Sequence, residues 1–86
     1  MSYEVEIAPA AKRQIKKLPH DVQQNVVAKL EELAFEPRPD GVKKLEGSDN
    51  LYRVRAGKYR IIYEIQDALL LVIVVKVNHR RDVYRL

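Results

Sequence analysis

An α+β domain is predicted for this 86-residue chain: the order is β-α-α-β-β-β, with an N-terminal helical hairpin packed on one face of a mostly antiparallel four-stranded sheet. Three observations predict it. Val22, Val26, Leu30 and Leu33 recur at helical spacing. Beyond residue 50 the chain turns to β-branched and aromatic segments separated by short turns. Between these halves lies Glu36-Pro37-Arg38-Pro39-Asp40-Gly41, whose two prolines and glycine make it a loop.

The elements follow in order. Tyr3-Glu4-Val5-Glu6-Ile7 alternates apolar and polar, as a half-buried strand does. Pro9 suits the first position of a helix, where its missing N–H costs nothing. Ala11, Ile15 and Leu18 form the apolar stripe of that short helix, while Lys12, Arg13, Lys16 and Lys17 face away. Pro19 ends it and opens the second helix. Strands are expected at Leu51–Arg55, Lys58–Gln66 and Leu69–Val77, with two-residue turns at Ala56-Gly57 and Asp67-Ala68. The third of these is apolar on both faces and is expected to be central and covered. Asn78 to Leu86 turns polar and basic again, as a short edge segment or a tail.

Eighty-six residues suffice for one small domain spanning 1–86, and a domain of that size commonly gains stability from a partner. The absence of cysteine excludes a disulfide framework, a thiolate metal site and a thiol nucleophile. No basic and apolar leader opens the sequence, and the longest apolar run, Ala68 to Val75, is too short for a membrane helix. A cytoplasmic protein without a membrane role is the expectation.

Charge is unevenly distributed. Residues 1–42 carry a net −1 and residues 43–86 a net +5, which suggests a polyanion-binding face built from the C-terminal half. Within "LYRVRAGKYRIIYEI", Arg53, Arg55, Lys58 and Arg60 occupy the positions between apolar residues. With a turn at Ala56-Gly57, Arg55 faces Lys58 and Arg53 faces Arg60, all on one side of the hairpin. Tyr52, Val54, Tyr59, Ile61 and Tyr63 then occupy the other. Like charges in such positions repel, and a bound anion relieves that repulsion; arginine's planar fork suits phosphate oxygens in particular. The plainer reading is a solvated outer face, with Glu64 diluting the charge.

A second cluster, "NHRRDVYR", follows the apolar strand. His79 brings the one side-chain type there whose ordinary pKa lies near neutrality, so it is an acid/base candidate or a hydrogen-bonded structural residue. Tyr84 either stacks on a base, acts through its hydroxyl, or packs on the sheet edge. Other site types find no support. Ser2 and Ser48 are the only serines, the three glycines are scattered, and His20 and His79 lie in different elements without metal-ligand spacing. Neither a metal nor another cofactor is expected.

The run "YRVRAGKYRIIYEI", its "KKLEGSDNLYRVR" lead-in and the terminal "VNHRRDVYR" together resemble the RelE/ParE toxin superfamily over almost the whole chain. The likeness is greatest to the RelE branch, the mRNA interferases of type II toxin–antitoxin systems, which cut mRNA in the ribosomal decoding site. Several residues acquire roles by this resemblance. The basic catalytic positions fall on Arg53, Arg55 and Arg60, the late arginine on Arg80 or its neighbour Arg81, and the C-terminal tyrosine on Tyr84. Of these, Arg60, Arg80 and Tyr84 are the implied catalytic set; Arg53, Arg55, Lys58 and Arg81 bind RNA phosphate, and His79 is secondary. Lysines stand at Arg53 and Arg55 in the family's best-described member. A RelB-like antitoxin, the ribosome with its mRNA, and promoter DNA reached only through the antitoxin are the implied partners. Two alternatives stay open: a ParE-type inhibitor of DNA gyrase, and a non-catalytic RNA- or ribosome-binding module.

Overall fold

The computed structural model describes residues 2–79. Strand β1 (Glu4–Ile7) leads into helices α1 (Pro9–Lys16) and α2 (His20–Phe35); β2 (Lys43–Lys44), β3 (Leu51–Ala56), β4 (Tyr59–Gln66) and β5 (Leu71–His79) follow. The sheet order is β1-β5-β4-β3-β2, with β1 parallel to β5 and every other pair antiparallel. Helices and sheet form the α+β arrangement that the sequence predicts, with one strand more than expected. The additional strand, β2, is two lysines long. Two charged residues carry no alternation from which a strand is legible, and pairing to β3 alone defines this one.

Both helices lie on one face of the sheet. Pro9 occupies the first turn of α1, and Gln23 closes its other end by donating from its side-chain amide to the Leu18 carbonyl at 3.0 Å. The core joins Ala11, Val26, Leu30 and Leu33 of the helices to Val54, Ile61, Tyr63, Ile65, Val72, Val74 and Val77 of the strands. Full burial of each large apolar side chain contributes roughly 1.5–3 kcal/mol. Gln14 ties α1 to the sheet by accepting the Val77 N–H at 2.8 Å. No helix among the described residues is long and apolar enough to cross a membrane.

Three sequence expectations change. The β3–β4 turn is Gly57-Lys58, because Ala56 pairs with Tyr59, and Gly57 takes φ 62°. A glycine with positive φ at the first central position favours this tight turn over the Ala56-Gly57 alternative. The register moves with it: Arg55 faces Arg60, Arg53 faces Ile62, and Lys58 sits at the exposed tip. Next, the β4–β5 connection is longer than two residues. A single 3-10 turn, Asp67–Leu69, ends in Leu70 with φ 49° and ψ 49°, closed by a bond from the Leu70 N–H to the Asp67 carbonyl. Finally, β5 lies inside the sheet but is covered on one face only. Val72, Val74 and Val77 are buried beneath the helices, whereas Leu71 and Ile73 are half-buried and Val75 is 38% exposed. A register shift opposite Ile62/Tyr63 leaves Val75 as an extra residue between Val74 and Lys76.

Candidate nucleic-acid interface

The face turned away from the helices carries the cations. Alternation along β3 puts Arg53 and Arg55 on that face, and pairing adds Arg60 of β4 and Lys43 of β2. Gly41, Lys43, Arg53, Arg55 and Arg60 line a cleft of about 340 Å³. Exposure grades across it: Arg55 and Lys43 are exposed, Arg53 is half-buried, and Arg60 on the interior strand is 4% accessible. A buried guanidinium opposite an exposed one presents its charge from a fixed position, and fixed donors stabilise a developing anion without reorganising.

The loop that leads to Gly41 and Lys43 is fastened from the opposite face. Tyr63, fully buried, donates its hydroxyl to the Pro37 carbonyl at 2.6 Å and stacks on Tyr52 with centroids 6.0 Å apart. Burial pushes the Tyr63 hydroxyl pKa well above its ordinary value. From the same loop, Arg38 grips Asp67 with two N–H···O bonds of 2.9 and 3.1 Å, and lies over the Tyr52 ring at 5.1 Å. Tyr3 donates to the same Asp67 carboxylate at 2.7 Å. The Arg38 hydrogen bond, helped by that of Tyr3, holds the Asp67 carboxyl down to about 2. The segment that carries Gly41 and Lys43 is therefore held both to the sheet interior and to the β4–β5 turn.

Three of the eight sequence candidates meet at the cleft: Arg53, Arg55 and Arg60. Lys58 caps the hairpin instead of facing Arg55. His79 pairs with Tyr59, on the helix side of the sheet, and its ring meets the Tyr59 ring edge-on at 5.4 Å. Asn78 is the β5 residue in register with Arg60. Arg80, Arg81 and Tyr84 lie outside the described residues. Lys43 lines the cleft and was missed, because its place depends on the two-residue strand that the sequence does not disclose.

Residues 5–84 match the family model of the ParE toxin of the type II toxin–antitoxin system parDE. Toxin RelG of Mycobacterium tuberculosis is 33% identical over 86 residues, which cover 99% of each chain. The chain belongs to the RelE/ParE toxin family. Solved members share its architecture. The archaeal RelE–RelB complex from Pyrococcus horikoshii superposes with a TM-score of 0.83 at 30% identity, covering 93% of this chain and 97% of the other. The intact Escherichia coli RelBE toxin–antitoxin complex superposes with a TM-score of 0.79 at 28% identity, covering 91% and 96%. The family membership agrees with the resemblance read from the hairpin and the terminal motif.

Proposed function

We propose that this family member is a ribosome-dependent endoribonuclease that cleaves mRNA and so arrests translation. The observation that supports this reading most is the cleft that gathers Arg53, Arg55 and Arg60 on one sheet face, with Arg60 buried among them. Cleavage proceeds by attack of the RNA 2′-hydroxyl on the adjacent phosphorus. The P–O bond to the 5′-oxygen breaks, leaving a 2′,3′-cyclic phosphate and a 5′-hydroxyl, to which the proton lost by the nucleophile is finally returned. Negative charge gathers on the phosphoryl oxygens in the transition state, and Arg60 faces that charge while Arg53 and Arg55 hold the backbone. By the family resemblance, Arg80 or Arg81 assists at the phosphate or the leaving oxygen, and Tyr84 orients the nucleotide or aids deprotonation. Protein cations supply the charge stabilisation on this route, without a cofactor. The ribosome supplies substrate positioning, which puts the site of action in the cytoplasm. A RelB-like antitoxin, as in the RelE–RelB complexes, restrains the toxin, and promoter DNA is reached through that complex.

One observation favours a second reading, a ParE-type inhibitor of DNA gyrase: the matched family model is that of the ParE toxin of parDE. A translating extract separates the two. Added protein produces codon-registered mRNA ends in primer extension, and Arg60→Met and Arg55→Ala abolish or weaken them. Arg60→Met keeps the volume of a buried side chain, and its melting curve reports whether the fold is retained. Intact mRNA alongside blocked gyrase supercoiling would replace the nuclease with the inhibitor.

A further inference from the structure

Two like-charged pairs stand side by side on the cleft face. Arg55 is the Cα partner of Arg60, and one row along the same strand Arg53 is the Cα partner of Lys43. Opposed side chains in such pairs have Cβ atoms roughly 4.5–5.5 Å apart, close enough for two cations to share one phosphate. The rows are two residues apart on β3, roughly 6.7 Å along the strand, and Lys43 and Arg60 lie on opposite sides of β3, so the two pair midpoints stand roughly 8 Å apart. That is the order of the separation between successive phosphates in an extended nucleotide chain. Both pairs line one cleft, and Gly41, which also lines it, adds no side chain to it.

We propose that Lys43 and Arg53 form a second phosphate subsite, which holds the internucleotide phosphate next to the one engaged by Arg55 and Arg60. This inference rests on the reading of the cleft as an RNA site, and it adds Lys43 to the residues that bind. A pair of like charges is costly in an isolated sheet and favourable once an anion lies between them. Two such pairs in adjacent rows match a polyanion of regular spacing better than they match a single ion. Lys44, one residue further on the same strand, pairs with Tyr52 on the helix side and takes no part.

The two lysines make the test. Both are exposed residues of a two-residue edge strand, so replacing either leaves the core intact. Binding is measured as a function of salt for a fluorescent single-stranded 2′-deoxy oligonucleotide, which lacks the attacking hydroxyl. Lys43→Ala lowers the slope of log affinity against log salt by about 0.7 for the lost phosphate contact, and Lys44→Ala leaves it unchanged. By NMR titration, a trinucleoside diphosphate binds the wild type more tightly than a dinucleoside monophosphate, and Lys43→Ala removes that gain. Equal effects of Lys43→Ala and Lys44→Ala would overturn the subsite in favour of diffuse attraction. A silent Lys43→Ala beside a weakened Arg55→Ala would also overturn it, leaving one phosphate position. If Arg55→Ala is silent as well, the cleft does not take nucleic-acid phosphate, and the proposed function fails with it.

Discussion

Arg55 and Arg60 face each other directly across the β3–β4 hairpin, one exposed to solvent and the other 4% accessible. Opposed like charges destabilise a sheet by a few tenths of a kcal/mol to about 1 kcal/mol. Arg55→Ala is therefore expected to raise unfolding free energy in urea by up to about 1 kcal/mol while weakening RNA binding. A stability loss in the same titration would contradict the repulsion, whatever happened to binding.

Gly57 holds the register that brings this pair together. Its φ of 62° is one that L side chains adopt at a cost of roughly 1–2 kcal/mol. Gly57→Ala should lose about that much stability by chemical denaturation. Since open space surrounds the position, the loss is conformational, without a steric clash. Equal stability of Gly57→Ala and the wild type would show that the turn differs.

The bond from Tyr63 to the Pro37 carbonyl is buried, and deleting the hydroxyl leaves that carbonyl without this donor. Tyr63→Phe is expected to cost about 1–2 kcal/mol. Hydrogen exchange should reveal faster opening of the 36–42 segment than of β4. Uniform acceleration across the sheet would place the effect in the core instead of the loop.

Asp67 gives stability a dependence on acid. Its carboxyl falls from an ordinary 3.8 to about 2 in the folded protein, chiefly through the hydrogen bond from Arg38. A depressed folded-state pKa adds stability above the unfolded value and loses it as pH falls through the folded value. The melting temperature advantage of wild type over Asp67→Asn should therefore be full above about pH 4.5 and shrink progressively toward pH 2. An advantage that stays constant over this range would remove the carboxylate from the explanation.

The helical half was legible because its apolar residues are spaced for burial on one face, and Val26, Leu30 and Leu33 are buried as their spacing requires. Which side of the sheet the arginines occupy was equally legible, since strand alternation survives an error in register. Their partners were not, because Ala56-Gly57 and Gly57-Lys58 differ by one residue and only the backbone angle at Gly57 decides between them. The one-sided exposure of β5 was hidden for another reason. Leu71, Ile73 and Val75 are apolar like their buried neighbours, and hydrophobicity alone does not tell which face a helix covers. Arg38 looked like a loop cation, and its grip on Asp67 joins residues far apart in sequence.

The parallel pairing of β1 with β5 sets an order of events during synthesis. The β2–β3–β4 ribbon that carries the cleft is made of sequence neighbours, and it can form as soon as residues 43–66 are available. Of the described strands β1 is made first, yet its partner among them is the last, β5. Its apolar residues Val5 and Ile7 therefore wait for their sheet partner until β5 has been made. The topology thus lets a newly made molecule assemble its charged surface before β1 is docked, and until β1 docks the edge of β5 is open to any other extended chain nearby.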